Sequence, residues 1–184
     1  MRAILIGFDG SLTAFGMGAI SIEEEPKVLR VSCTCTKPET KSKHTYAADK
    51  DGVRVDEIAT DVLAMIDWAL SYGVPVLVAI EAPAGSQHAV SAKALGLAYG
   101  ISRTACVSRK LVPITVQAHE VKIAMGGAKD SSKEDVAKGV ERRTKWTSQA
   151  STKAAREGEA DAVGVALTAL KNPHVAMLIP RTES

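Results

Sequence analysis

The chain has 184 residues, 46% hydrophobic and 24% charged, with a formal net charge of +2; this fits one globular domain over 1–184 with a sizeable core. No apolar run approaches the ~18 residues of a membrane-spanning helix, and the opening apolar run breaks at Asp9, too short for a secretory signal. Aromatics make up only 4%, so the core must be aliphatic, and the balance of charge is uneven: between Arg103 and Arg156 stand twelve Lys/Arg against five acids, a basic segment of the kind that faces a polyanion or simply a solvated helical face.

Residues 2–9 form a nearly continuous apolar run, the pattern of a strand buried on both faces. Residues 14–22 and 27–35 read as two further strands, separated by the turn Glu23-Glu24-Glu25-Pro26, which makes an antiparallel meander. Residues 36–51 are polar and read as a surface loop. Apolar positions at Val55, Ile58, Val62, Met65, Ile66 and Ala69 recur at helical spacing, which predicts a helix over 53–72 capped by Gly73. A second buried strand follows at 74–81, then an Ala-rich helix at 86–108 and a fifth strand at 111–117. Two short helices are expected at 119–125 and 132–144, and a closing helix of small residues at 157–171. Strands followed by alternating helices and strands point to an α/β fold, a mixed five-stranded sheet flanked by helices, with the first and fourth strands as central neighbours. Cys33 and Cys35 alternate onto one strand face without a second pair to complete a zinc site, and Cys106 stands alone; reduced thiols of a cytoplasmic protein are the expectation.

Two buried strands end on carboxylates, Asp9 and Glu81. An acid in such a place is costly unless something pairs with it, whether a metal ion, a phosphate-handling loop or a turn. If the two strands are parallel neighbours, both acids emerge at the end of the sheet where ligands bind in α/β folds. The closing helix adds Glu157 and Asp161, four residues apart and on one face, whereas Glu159 lies about 200° from Asp161 and is expected to point outward. Acids converging in a partly buried pocket repel one another and require protons or divalent cations. Hard oxygen donors suit Mg²⁺ or Mn²⁺, and two such ions support in-line phosphodiester hydrolysis.

These residues carry a resemblance. "GFDGSLTAFGMGAI", "VAIEAPAGSQHAVSAKALGLAYGISRTAC", "VPITVQAHEVKIAMGGAKDSSKEDVAKGV" and "EADAVGVAL" resemble, in order and from residue 3 to about 171, the motifs of the RuvC-type Holliday junction resolvases in the ribonuclease H-like superfamily. The resemblance implies a ribonuclease H-like sheet of order 3-2-1-4-5. It also implies a metal-dependent endodeoxyribonuclease that resolves four-way junctions or other branched DNA in recombination, repair or phage DNA processing, and acts as a homodimer. Asp9, Glu81 and Asp161 match the family's metal-binding acids, and Lys122 and Lys133 its basic residues beside the active site. Together with Lys129, Arg142 and Arg143, those lysines are the expected DNA-binding set. Three residues before the last Asp the family carries an Asp or His, and this chain carries Gly158; Glu157 is taken as the fourth ligand in its place. After Glu81, "APAGSQHAV" lacks the aromatic wedge of several family members, and His88 reads as a helix-surface residue. Two other readings stand beside this one. One is a protein of the same fold that binds junctions without cutting; the other is an actin- or sugar-kinase-like phosphate-binding domain, suggested by the Asp-Gly-Ser turn.

Overall fold

The computed structural model describes residues 1–37, 47–83, 85 and 88–177. Its elements are β1 (Ile4–Gly10), β2 (Ala14–Ser21), β3 (Val28–Cys35), α1 (Ala47–Leu70), β4 (Val76–Glu81), α2 (Ala89–Ser108), β5 (Ile114–Val116), α3 (Ala118–Gly126), α4 (Lys133–Thr144), α5 (Lys153–Ala169) and α6 (Pro173–Ala176). The five strands form one sheet in the order β3-β2-β1-β4-β5. β1 pairs antiparallel with β2, from Ile4 opposite Ser21 to Gly10 opposite Phe15, and parallel with β4, from Ile4 beside Val76 to Phe8 beside Ile80.

The continuous apolar run of β1 is explained by its central place, because it feeds a core on each face of the sheet. Ile4, Ile6 and Phe8 join Phe15, Met17 and the buried faces of α1 and α2. Leu5, on the other side, joins Ile20, Val121, Val136 and Val163 under α3, α4 and α5. α5 lies unusually close to the sheet. A Cβ added to Gly7 would sit 2.1 Å from the carbonyl oxygen of Ala162, and one added to Gly16 would sit 2.0 Å from that of Gly158. Both strand positions therefore require glycine for space.

Several boundaries differ from the sequence reading. α1 begins at Ala47, so the end of the expected 36–51 loop is helical, while 38–46 lie outside the described residues. α2 starts at Ala89 rather than 86, and residues 84, 86 and 87 of the stretch after Glu81 also lie outside the described set. β5 is only three residues long, since Pro113 has no N–H to give a ladder. α5 begins four residues earlier than expected, because the Thr152 side chain accepts from the N–H of Ala155 and caps it. Among the described residues no helix is long and apolar enough to cross a membrane.

Candidate active site

The pairing of β1 with β4 in parallel brings Asp9 and Glu81 to the same end of the sheet. In β1 the side chains alternate, so Asp9 shares the α5 face with Leu5 and Gly7. α5 enters across that face and delivers Asp161, whose side chain is 15% exposed. The three acids act on one another. Burial first, then the neighbouring Asp161 charge, push the Asp9 carboxyl up from 3.8 to about 7, against the pull of Lys133. Burial followed by Asp9 and Asp161 pushes Glu81 up from 4.5 to about 8, with Lys133 and Lys122 opposing. Asp161 is likewise raised, mainly by burial. Near neutral pH two of these groups titrate, which a cation would resolve in favour of the charged form.

The cation on hand is Lys133, at the first position of α4. Its Nζ donates to Asp161 Oδ2 at 3.0 Å and lies 3.7 Å from Glu157 Oε2. Burial pulls its ammonium down, but Asp161, Asp9 and Glu157 outweigh that and hold it above the ordinary lysine value. Its place is fixed by the N-terminus of α4, where Ser132 Oγ accepts from the N–H of Asp135 and the Asp135 carboxylate accepts from the N–H of Ser132. Glu157 stands at the edge of the group, shared between Lys133 and Lys153, whose Nζ is 3.5 Å away. Lys122 sits near enough to lower both Glu81 and Asp161. Asp9, Glu81, Asp161, Glu157, Lys122 and Lys133 are thus brought together. The donors are hard oxygens, the set that suits Mg²⁺ or Mn²⁺. Among the described residues they are not drawn into a ready-made cage of three ligands; Lys133 pairs with Asp161, and burial pushes Asp9 and Glu81 toward their protonated forms.

The other basic residues do not join them. Lys129 lines a cavity between β5, α3 and the far end of α5, which shares no residue with the carboxylate group. Arg142 donates to the carbonyl of Met125 at 3.4 Å and Arg143 to that of Ala124 at 2.7 Å, so both cap the last turn of α3.

Glu159 differs from expectation. It is 8% exposed, not outward-facing, because the segment between α4 and α5 folds back over it and Ser148 Oγ donates to its carboxylate. Gly158 has a packing reason. Asp9, Gly16 and Cys33 lie side by side across β1, β2 and β3, and α5 rests on the bare Gly16. A Cβ at Gly158 would come within 2.8 Å of Cys33 Sγ, so a side chain there requires the thiol to move aside. The Cys33 thiol, half-buried and beside Cys35, Glu159 and Asp9, is pushed up to about 12 and stays protonated. One structural anchor escaped the sequence reading. Arg54 of α1, 9% exposed, donates to Thr36 Oγ1 at 2.8 Å and to the carbonyl of Leu12 at 2.7 Å, locking the β1–β2 turn that follows Asp9. A lone Arg among the apolar positions of an amphipathic helix was the available signal.

The sequence matches no protein-family model and no curated protein. Solved structures do match. Thermus thermophilus RuvC in complex with Holliday junction substrate superposes with a TM-score of 0.70 at 23% identity, over 90% of this chain and 92% of that one. A second Thermus thermophilus RuvC structure gives 0.66 at 24% identity over the same shares. The yeast mitochondrial Holliday junction resolvase Ydc2 gives 0.58 at 10% identity, over 91% of this chain and 77% of its own. With the sheet order 3-2-1-4-5 and helices on both faces, the fold of this chain is that of the RuvC-type Holliday junction resolvases, a ribonuclease H-like architecture.

Proposed function

We propose that this protein is a divalent-metal-dependent, structure-selective endodeoxyribonuclease that nicks four-way junctions and other branched DNA, working as a homodimer in the cytoplasm. The observation that carries the reading is the convergence of Asp9, Glu81 and Asp161, each acid raised by burial, with Lys133 against them. Acids so placed have no structural use that outweighs their cost, and they suit hard cations. Asp9, Glu81, Asp161 and the peripheral Glu157 would hold such cations, Mg²⁺ or Mn²⁺, which supply the positive charge that water activation and phosphodiester displacement need. Lys133 holds its ammonium beside Asp161, where it can take a non-bridging phosphate oxygen of the scissile group. Lys122 adds a second positive charge on the Glu81 side. Closed cyclic symmetry would place two such sites across a two-fold branched substrate.

The test is nicking of a synthetic four-way junction with Mg²⁺ or Mn²⁺, comparing the wild type with Asp9→Asn. Paired nicks by the wild type alone support the reading; equal nicking by both proteins, or none by the wild type with either metal, rejects it. Gly158, which offers no side chain at the position where the resembled family carries an Asp or His, favours a second reading, junction binding without cleavage. That reading expects tight junction binding in EDTA and no product with any divalent metal.

A further inference from the structure

Next to the carboxylate group lies a cavity of about 180 Å³ whose wall is shared with it: Lys133 and Glu157 line both. Trp146, Ala137 and Ala160 give it apolar surface, Thr147 and Ser148 hydroxyls, and Arg156 and Glu134 further charge beside Lys133 and Glu157. Trp146 is half-buried and packs against the core under α5 while also lining the cavity. The other tryptophan, Trp68, is engaged with Tyr72 and Arg30 on the far side of the sheet.

The segment that carries Trp146 is held on several sides. Lys145 adopts a left-handed conformation (φ 56°) and its N–H returns to the carbonyl of Glu141 at 2.8 Å. The N–H of Trp146 donates to Thr144 Oγ1 at 3.3 Å. Ser148 is tied to the buried Glu159, and Arg156 donates to the carbonyls of Ala150 and Ser151 at 2.9 and 3.2 Å. Burying Glu159 has a cost, and what it secures is this segment. An indole with apolar neighbours, lined also by the cations Lys133 and Arg156, is the recognition chemistry of a nucleobase attached to its phosphate.

We propose that this cavity receives the base of a nucleotide flanking the scissile phosphate, stacked on Trp146. Because a base in a continuous duplex is not free to leave its stack, the site selects DNA in which that nucleotide is unpaired, as at a branch point. The proposal rests on the nuclease reading above and names how that site reads structure.

The test uses full-length protein carrying Asp9→Asn, so that nothing is cut, and Trp68→Phe, so that Trp146 is the sole tryptophan. Emission is followed while a four-way junction, a linear duplex, and a junction with abasic residues flanking the branch are titrated in, with binding scored separately by gel mobility. The expected result is quenching by the intact junction and none by the duplex or the abasic junction. Trp146→Ala should weaken junction binding about tenfold, and Trp146→Phe far less. Binding of the intact junction with unchanged emission, or equal quenching by the abasic junction, overturns the proposal while leaving the nuclease reading standing. Absence of any junction binding overturns both. An emission change that follows protein concentration without DNA assigns the cavity to a second copy of the chain and also overturns it. Should Trp146→Ala fail to fold, as judged by its thermal melt, the emission of the tryptophan-containing protein still decides.

Discussion

Replacing Asp9 by Asn should make the metal-free protein more stable, by an amount that depends on pH. In the folded chain the Asp9 carboxyl is raised from 3.8 to about 7, through burial first and Asp161 second. The native state therefore holds a proton that the unfolded chain has released, and stability falls as pH rises from about 4 to about 7, then levels off. At 1.36 kcal/mol per pH unit the rise caps the loss near 4 kcal/mol. Asp9 keeps some contact with solvent, which screens the repulsion, so about 2 kcal/mol is expected at pH 8. For a chain of this length that is roughly 4–8 °C in Tm. The assay is urea and thermal unfolding of wild type and Asp9→Asn in EDTA at intervals from pH 5 to pH 8. Taking the difference between the two proteins cancels every titration they share. The gap should already stand at roughly a third of its full size at pH 5, where the unfolded chain has released the proton that folded Asp9 keeps, and widen to about pH 7 with the variant more stable. Mg²⁺ or Mn²⁺ at pH 8 should raise the wild type more than the variant and narrow the gap. A gap of constant size across the range, or a variant less stable at pH 8, would refute the claim that burial and mutual repulsion strain the site.

The remaining predictions probe its supports. Lys133→Gln removes the charge that lowers Asp9, Glu81 and Asp161, so nicking should fall at least about tenfold and its pH profile shift upward; an unshifted profile in a pH–rate series would count against the assignment. Gly16→Ala drives a Cβ into the Gly158 carbonyl and should cost about 3 kcal/mol or more, whereas Gly96→Ala on the open face of α2, where a Cβ meets nothing within 4 Å, should stabilise by about 0.5–1 kcal/mol in the same denaturation series. Arg54→Met strips the donors from Thr36 and the Leu12 carbonyl and should cost about 2 kcal/mol, read as a lowered urea midpoint with an unchanged slope.

Much of this was legible in the residues for a physical reason. A central strand buried on both faces shows as a continuous apolar run, so β1 and β4 announce their adjacency, and the meander of β2 and β3 then has only one edge to occupy. The acids Asp9 and Glu81 each break such a run at its end and Asp161 sits among small residues, so their cost is visible before any partner is known. Glu159 was misread because a helical wheel gives direction and not neighbour: the segment bearing Ser148 covers the side that would otherwise face water. Arg142 and Arg143 counted toward a basic segment, but composition does not say that the end of α3 lies within their reach. Gly16 in a strand pattern gave no sign that it reports the distance between α5 and β2, because the helix that touches it comes far later in the chain.

That distance ties the fold to the chemistry. For Asp161 to bear on Asp9, α5 must lie nearly in backbone contact with the sheet, and Gly7 beneath Ala162 and Gly16 beneath Gly158 are what permit it. Gly158 itself adds no side chain to the group, and a Cβ there would meet Cys33 Sγ at 2.8 Å. The residue one step earlier, Glu157, then reaches the group only from the rim, through the lysine they share. A site built this way keeps two of its acids near their titration point at neutral pH and leaves its outer side open toward Lys133 and the Trp146 cavity. The carboxylates stand on the sheet and the Trp146 cavity on the α4–α5 side, and α5 supplies residues to both.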